Sequence, residues 1–255
     1  MMSATPEKIE RIRGMKTAGR KIAALTAYDY PMGRLLDECG VNIILVGDTL
    51  GMVVLGYPDT THVTMDHMTH HTAAVRRGVT NGLVVADLPI GSIATPAVAV
   101  ANSRRLMDAG AEAVKLEGPH FDVIGAIVGA GIPVMAHLGM LPQQVLTEGG
   151  YRIKGKTDEE AAALVEQARG VQVAGAFAVV LEIVRAEVAG RISEAVAIPT
   201  IGIGSGEGCD GQILVTYDLV GMFPWFRPKF VVPEGDVAGE LRKAVLAYRR
   251  RVTRD

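Results

Sequence analysis

Charged side chains end several apolar segments of this sequence, where packing alone would favour apolar residues. Asp48 ends the run "NIILVGD", Asp87 ends "LVVAD", and Glu182 ends "AVVLE". Lys115 and Glu117 lie in "AVKLE", separated by one residue. A buried carboxylate is costly unless it is paired or bound to a cation. We therefore expect these residues to carry chemistry and not only to stabilise the fold.

The chemistry that fits these residue types is assisted by a metal ion. Mg2+ commonly takes one or two carboxylates together with waters and substrate oxygens, and Asp48, Asp87 and Glu117 are the candidate ligands. Lys115 is then placed to hold an anionic substrate group, and Glu182 to act as a general base. A cation that chelates a 2-oxo acid, while a base removes the neighbouring proton, gives a stabilised enolate. The alternative is a buried ion pair of Lys115 with Glu117 or Asp87 that has no catalytic role.

Eight apolar runs of strand length must position these residues. A segment of helical character follows each run, and this alternation predicts βα units and a parallel sheet. For a chain of 255 residues, a (β/α)8 barrel formed as a single domain over residues 1–255 is the expected architecture. The predicted strands are "KIAALTAY" from Lys21, "NIILVGD" from Asn42, "LVVADL" from Leu83, "AVKLEG" from Ala113, "PVMAHLG" from Pro133, "AVVLEIV" from Ala178, "PTIGIG" from Pro199 and "GQILVTYD" from Gly211.

The barrel geometry brings the chemically active residues together. The C-terminal ends of all strands meet at one open end, which we call the barrel mouth. Tyr28 closes the first predicted strand and His137 lies in the fifth, so both belong to this set. Period-two alternation places Lys115 and Glu117 on the same face of the fourth strand, toward the mouth. The segment "TPEKIERIRG", with Pro6 at its first helical position, predicts a short N-terminal helix that closes the opposite end.

Two segments are longer than a helical connection requires. They follow the second and fifth strands and read "TLGMVVLGYPDTTHVT" from Thr49 and "MLPQQVLTEGGYRIKG" from Met140. Long loops in a compact domain are usually binding loops, so we expect both to serve the barrel mouth.

Composition excludes several classes of partner. The formal net charge is −2 and the pI is about 6.3, so no basic excess indicates a nucleic-acid or anionic-membrane partner. Cys39 and Cys209 have no metal-type spacing, and we expect two buried thiols in a reducing compartment. The polar start and the lack of a long apolar run predict a cytoplasmic protein without a signal peptide or membrane span.

A cluster of histidines suggests a zinc site, but a structural role is the preferred interpretation. His67, His70 and His71 have the spacing of one helical face, with His62 just before them. No fourth ligand is evident, and the cluster lies away from the predicted strand ends. We expect a helix start with His71 packed or hydrogen-bonded.

The segment "IGIGSGEGCDGQ" matches the spacing GxGxxG at Gly206, Gly208 and Gly211. A dinucleotide-binding fingerprint should open a helix, whereas "GQILVTYD" is typical of a strand. A phosphate-binding loop and a plain tight connection both remain open here.

With these residues in view, the sequence resembles the ketopantoate hydroxymethyltransferase family over nearly its whole length. The resemblance rests on the combination "TAYDYP", "LVGDTLGMVVLGY", "HTAAVRRG", "VVADLPIGS", "AVKLEG", "GGYRIKGKT", "LEIV" and "IPTIGIGSGEGCDGQILVTYD". It implies a barrel of the phosphoenolpyruvate mutase type that binds Mg2+ and forms a large homo-oligomer, commonly a decamer. It also implies transfer of a one-carbon unit from 5,10-methylenetetrahydrofolate to 3-methyl-2-oxobutanoate, which gives 2-dehydropantoate in pantothenate biosynthesis.

The resemblance also implies a role for each candidate residue. The implied metal ligands are Asp48, Asp87 and Glu117, the implied substrate contacts are Asp48, Thr49, Asp87 and Lys115, and the implied catalytic base is Glu182. Thr49 stands where the family usually has serine, so it keeps the hydroxyl and adds a methyl group.

Four positions depart from the family pattern. Leu141 stands where threonine is common and Ala136 where glycine is common, while Arg185 replaces a proline and Val232 a lysine. No departure removes an implied metal ligand or the implied base.

Two other functions are compatible with the same residues. A C–C lyase or mutase of the same barrel superfamily would use the metal and the 2-oxo acid without folate. A non-catalytic barrel would show no Mg2+-dependent activity with any 2-oxo acid.

Overall fold

A computed structural model describes residues 5–254 and contains the predicted barrel. Eight strands close into a barrel in the order of the chain, and neighbouring strands pair in parallel. All eight predicted strands are confirmed. They are β1 (Ile22–Thr26), β2 (Ile43–Val46), β3 (Leu83–Asp87), β4 (Ala113–Glu117), β5 (Val134–Gly139), β6 (Ala178–Glu182), β7 (Thr200–Ile203) and β8 (Gly211–Leu214).

Helices connect the strands, and short helical turns also occur in the two long loops. The α-helices are α1 (Thr5–Thr17), α2 (Tyr30–Glu38), α3 (Leu50–Val53), α4 (Met65–Arg76), α5 (Pro96–Asp108), α6 (Phe121–Gly129), α7 (Asp158–Val173), α8 (Ala186–Ala195), α9 (Thr216–Leu219) and α10 (Val237–Thr253). The loop after β2 contains α3 and the 3-10 turn Thr60–His62, and the loop after β5 contains the 3-10 turn Pro142–Gln144. These loops therefore have more regular structure than their Gly, Pro and Thr content predicts.

The inward face of each strand changes character along the barrel. On β3 the inward residues are Leu83, Val85 and then Asp87, and on β4 they are Ala113, Lys115 and Glu117. The first members of each series belong to the apolar core, and the last are charged and buried. Because side chains alternate with period two, the charged residues continue the same inward row toward the mouth.

The N-terminal helix α1 closes the other end of the barrel, as predicted. Ile9, Ile12 and Met15, spaced at helical intervals, join the core cluster with the inward residues of the strands. Among them are Ile22 and Ile43, which are fully buried. Apolar packing thus seals this end and leaves the C-terminal mouth as the accessible one.

The chain forms two compact units, which we describe separately. The first reaches Ile213 and contains β1 to β7 and all of β8 except its last residue. The second begins at Leu214 and contains α9 and α10, with Asp236 capping α10 through a hydrogen bond from the Gly239 amide to its side chain. The last turn of α10 carries Arg250 and Arg251, whose positive charge suits the helix dipole. That residues 1–255 act as a single domain stays a prediction.

The cysteines only partly follow the expectation of two buried thiols. Cys209 is buried, but Cys39 is exposed at the C-terminal end of α2. The expectation for Cys39 was wrong because the residue lies just beyond the apolar face of its helix. Within residues 5–254, no helix combines the length and apolar character needed to cross a membrane.

A buried ion pair between α1 and the barrel provides a test of the closed end. Lys8 Nζ donates to Glu112 Oε2 at 2.9 Å and to the Gly82 carbonyl at 2.7 Å. Lys8→Met leaves the Glu112 carboxylate buried without this cation, and we expect a loss of about 3 kcal/mol in the free energy of unfolding, measured by urea titration. In the control Arg13→Met, which removes an exposed ion pair of the same helix with Glu10, we expect a loss below about 1 kcal/mol. Equal losses in the two variants would contradict this assignment.

Candidate active site

Three of the predicted residues meet where β2, β3 and β4 end. Asp87, the last residue of β3, accepts a hydrogen bond from the Asp48 backbone amide at 3.0 Å and another from Lys115 Nζ at 2.5 Å. The strand register places Asp87 opposite Lys115. All three side chains are buried. The ion pair of Lys115 with Asp87 is one of the two that the non-catalytic alternative named, so this pair alone does not distinguish the two interpretations.

Glu117 and Glu182 lie on either side of His137. The register places Glu117 opposite His137 across β4 and β5. His137 Nε2 lies 3.3 Å from Glu182 Oε2, and Nδ1 lies 3.7 Å from Glu117 Oε1. Neither ring nitrogen has a hydrogen-bond partner of good geometry among the described residues. We call Asp48, Asp87, Glu117 and Glu182 the carboxylate cluster.

Thr49 is held by a chain of hydrogen bonds from β1 and α4. Its Oγ1 lies 2.8 Å from the hydroxyl of Tyr28, which is buried at the end of β1. The Tyr28 carbonyl in turn lies 2.6 Å from His71 Nδ1. His71 is therefore hydrogen-bonded as predicted, and it acts on the backbone of a residue that contacts Thr49.

Gln143 is a site residue that the sequence analysis missed. It lies in the 3-10 turn Pro142–Gln144 after β5. Its side-chain Nε2 donates to Asp48 Oδ2 at 2.8 Å and to the Leu88 carbonyl at 3.0 Å, and its backbone amide donates to Glu117 Oε2 at 3.0 Å. An amide in a loop has no distinguishing sequence pattern, and only the "LPQQ" segment after a predicted strand marked its neighbourhood.

Burial and mutual repulsion dominate the electrostatics of the cluster. Burial, together with the negative charge of Asp87, raises the pKa of Asp48 to about 7. Burial and the charge of Asp48 likewise raise the pKa of Glu117 well above its usual range. Although burial acts in the opposite direction, Asp87 and Glu117 raise the pKa of Lys115 above its usual value. The single ammonium of Lys115 thus does not offset the negative charge that the fold concentrates at the mouth.

The pKa of His137 shifts in the opposite direction. Burial and the nearby Lys115 ammonium lower the pKa of His137. The neutral imidazole is thus favoured in this position, so one of its ring nitrogens is available as an acceptor.

The donor chemistry of the cluster fits a hard cation. Asp48, Asp87 and Glu117 supply oxygen donors, which Mg2+ prefers, and a cation among them would relieve the repulsion that raises the carboxyl pKa values. Within the described chain, however, no group of three or more His, Cys, Asp or Glu side chains already has the arrangement of a metal site. The assignment of these ligands stays a prediction.

The loop after β5 also brings an aromatic hydroxyl toward the cluster. Burial and the negative charge of Glu182 raise the pKa of Tyr151 to about 12. Tyr151 and the neighbouring Leu146 and Ile153 nevertheless expose large parts of their side chains. This loop therefore presents apolar surface close to the charged mouth.

The backbone after Glu182 adopts an unusual conformation. Ile183 has a φ of 49°, which lies in the left-handed region that β-branched residues rarely adopt. Its amide donates to the Ile203 carbonyl at 2.9 Å, and its own carbonyl accepts from the Lys154 amide at 2.9 Å. These bonds hold the strained residue in place directly beside the predicted base.

None of the four departures from the family pattern is a member of the carboxylate cluster. Ala136 alternates with the inward residues of β5 and therefore faces away from the barrel interior. Leu141 is buried and lines a cavity of about 220 Å³. Arg185 pairs with the exposed Glu187, and Val232 is largely exposed in the second unit. Among the described residues, none of the four side chains hydrogen-bonds or pairs with the carboxylate cluster.

The histidine cluster and the glycine-rich segment agree with the helix-start and strand interpretations. His67 caps α4 together with Thr64, each side chain accepting from the other's backbone amide, and His67 also lies near the ring of Tyr57. Gly211 begins β8 and not a helix, as the strand interpretation of this segment predicted. The histidine cluster and the GxGxxG match therefore give no support to a zinc site or a dinucleotide site.

Comparison with known proteins assigns the family. The chain is 52% identical over 241 residues to the 3-methyl-2-oxobutanoate hydroxymethyltransferase of Syntrophus aciditrophicus (strain SB), covering 93% of this chain and 89% of the relative. It is also 52% identical over 241 residues to the protein of the same name from Clostridium novyi (strain NT), covering 93% and 88%.

Solved structures support the fold. The structure of 2,3-dimethylmalate lyase, a member of the PEP mutase/isocitrate lyase superfamily, matches with a TM-score of 0.61 and 16% identity, covering 97% of this chain and 86% of that one. This likeness confirms the predicted (β/α)8 barrel fold. The sequence model described as ketopantoate hydroxymethyltransferase matches residues 7–255. The chain belongs to the ketopantoate hydroxymethyltransferase family.

Proposed function

We propose that this enzyme transfers a hydroxymethyl group to 3-methyl-2-oxobutanoate and forms 2-dehydropantoate in pantothenate biosynthesis. The family match over residues 7–255 and relatives of that name at 52% identity support this function. The observation that carries the proposal at the level of chemistry is the set of buried carboxylates and one lysine at a single barrel mouth. We propose 5,10-methylenetetrahydrofolate as the one-carbon donor and Mg2+ as the metal.

The substrate side of the site is assigned to Asp48, Thr49, Asp87 and Lys115. The Lys115 ammonium supplies positive charge for the carboxylate of the 2-oxo acid. The Thr49 hydroxyl, which Tyr28 orients through a 2.8 Å hydrogen bond, supplies a neutral contact to the same substrate. The buried position of Lys115 strengthens its interaction with an anion, because water screens it little.

The metal side is assigned to Asp48, Asp87 and Glu117. When bound there, Mg2+ supplies Lewis-acid stabilisation of negative charge on the 2-oxo acid. Before it binds, the three side chains are held by the Asp48 and Gln143 amides and by Lys115. The ligands are therefore partly ordered in advance, which lowers the cost of ordering them on binding.

Glu182 is assigned as the general base. Its side chain is 14% exposed, so it contacts both the protein and the open mouth. It takes the proton from the substrate carbon beside the keto group, and the resulting enolate attacks the methylene carbon of the folate. His137 Nε2, 3.3 Å from Glu182 Oε2, can accept a hydrogen bond from the protonated acid. Both C–N bonds of that methylene carbon break, and a water molecule supplies the hydroxyl oxygen of the product. Tetrahydrofolate leaves, and its two nitrogens take up one proton from this water and the proton held by Glu182.

Location and assembly follow from other features. We propose a cytoplasmic enzyme, for which the cysteine usage remains the support.

We also propose a homo-oligomer, a decamer as in the family. Helix α10 exposes Leu241, Val245, Tyr248 and Val252, which are spaced by four, three and four positions and lie on one face. An exposed apolar face of this kind is typical of association surfaces.

A reconstitution assay separates the proposed function from its rivals. We expect 2-dehydropantoate to form only when 3-methyl-2-oxobutanoate, methylenetetrahydrofolate and Mg2+ are all present, and EDTA to abolish turnover. Chromatographic detection of product measures the result. Cleavage of a 2-oxo or 2-hydroxy acid without folate would favour the C–C lyase, and inactivity under every condition would favour the non-catalytic barrel.

The base assignment is tested by proton exchange without the folate. Glu182→Gln keeps the size of the side chain but removes its basicity, so exchange of the substrate C3 proton into deuterated water should fall at least about a thousandfold while substrate binding stays. The control Glu166→Gln alters an exposed carboxylate of α7 that pairs with Arg169, and its exchange should match that of the wild type. NMR follows the exchange, and its persistence in Glu182→Gln would refute the assignment.

The oligomer is tested by light scattering. A decamer should give a mass of about ten times the 27.0 kDa of one chain. We expect Leu241→Asp to lower this mass, because it places a charge on the apolar face of α10. A wild-type mass near that of one chain would contradict the proposed assembly.

A further inference from the structure

Gln143 has an unusual set of contacts for a loop residue. Through its side chain it holds Asp48, and through its backbone amide it holds Glu117, at 2.8 and 3.0 Å. The side chain also donates to the Leu88 carbonyl, one residue after β3. Gln143 therefore connects the ends of β2, β3 and β4 to the loop after β5.

We propose that Gln143 is a positioning residue that sets the affinity of the site for Mg2+ and fixes the loop after β5 over the barrel mouth. The inference rests on the proposed metal ligands Asp48 and Glu117.

The chemistry of an amide suits this task. The Gln143 Nε2 group has two hydrogens, and Asp48 Oδ2 and the Leu88 carbonyl accept one each. Both donors are thus used, which fixes the orientation of the amide. An amide is neutral, so it orients Asp48 without offsetting the negative charge that attracts a cation. A lysine at this position would compete with the cation, and an apolar side chain would leave Asp48 without its donor.

The same residue fixes the loop. Near the start of this loop, the Met140 amide donates to the Glu182 carbonyl at 2.8 Å, and the Gln144 amide donates to the Leu141 carbonyl at 2.8 Å. The contacts of Gln143 add a connection to the opposite wall of the mouth. Further along the same loop lies Tyr151, whose pKa is raised by burial first and by the negative charge of Glu182 second. The Gln143 side chain therefore links the position of this loop to the position of the metal ligands.

Substitution of residues that hydrogen-bond metal ligands typically lowers metal affinity or activity by 10–100-fold. We expect a comparable effect from Gln143→Met, which keeps the length and volume of the side chain but removes both donors. The backbone amide that holds Glu117 remains in this variant. The effect of the substitution thus isolates the Asp48 and Leu88 contacts.

The experiment compares Mg2+ binding to the full-length wild-type protein, Gln143→Met and the control Gln144→Met by isothermal titration calorimetry with Mg2+ alone. Gln144 is exposed and lies in the same turn, so it receives the same chemical change outside the site. We expect the Kd for Mg2+ to rise about tenfold in Gln143→Met and to stay within about twofold in the control. Gln143→Asn, which keeps the amide but shortens the reach by one methylene, should behave as Gln143→Met and replaces it if that variant does not fold.

Two further measurements separate positioning from general destabilisation. In turnover assays, raising the Mg2+ concentration should restore kcat of Gln143→Met to within about threefold of wild type, because positioning affects occupancy of the site. Without Mg2+, trypsin should cleave after Arg152 in the loop faster in Gln143→Met than in Gln144→Met. Unchanged Mg2+ affinity and unchanged cleavage in Gln143→Met, with Mg2+ binding intact in the wild type, would overturn the inference and leave the proposed function standing. A wild-type protein that binds no Mg2+ would refute the metal site itself and this inference with it.

Discussion

Repulsion among buried carboxylates is the constraint on which this structure depends. The barrel mouth concentrates acidic groups where water screens them little, so each needs a cation or a hydrogen-bond donor. Lys115 supplies one positive charge to Asp87, and the Asp48 and Gln143 amides supply neutral donors. Burial first, and the negative charge of Asp87 second, raise the pKa of Asp48 to about 7, so these partners offset the cost of the buried charge only in part. Folding alone would favour apolar residues at these positions, because well-packed apolar side chains replace buried ion pairs at little or no cost.

The barrel tolerates the cost of these buried charges because its closed end is stabilised separately by apolar packing. At the closed end, Ile9, Ile12 and Met15 of α1 pack against inward apolar residues of the strands. The same inward rows become charged after one or two further residues, as in the step from Val85 to Asp87 on β3. Because side chains alternate with a period of two, the apolar and the charged residues lie on the same inward row of each strand. One strand register therefore places both the core residues of the closed end and the charged residues of the mouth.

The sequence predicts the barrel and most of the cluster for the same reason. Apolar runs of strand length ending in Asp48, Asp87 and Glu182 are visible without a structure, because strand periodicity and side-chain charge are local properties. Gln143 and the strained Ile183 could not be predicted, because their roles depend on how a loop returns to the mouth. The lack of a hydrogen-bond partner for either His137 ring nitrogen, among residues 5–254, is likewise a property of the assembled mouth. Fold class follows from local patterns, whereas the contacts that orient ligands follow from the packing of distant segments.

The backbone at Glu182 shows how such packing positions a side chain. A β-branched residue with a positive φ costs about 1–3 kcal/mol and persists only where its surroundings determine it. At Ile183 (φ 49°) they do so through hydrogen bonds to Ile203 and Lys154, and the neighbouring Val184 amide donates to Ser205 Oγ at 3.0 Å. Glu182 is bound in the same way, since its carbonyl accepts from the Met140 amide. The direction of the Glu182 side chain is therefore set by a strained backbone that hydrogen bonds hold in place. Fewer contacts of the side chain itself are then needed to orient it. For the base role proposed for Glu182, such an arrangement keeps the carboxylate in position while it takes up and releases a proton.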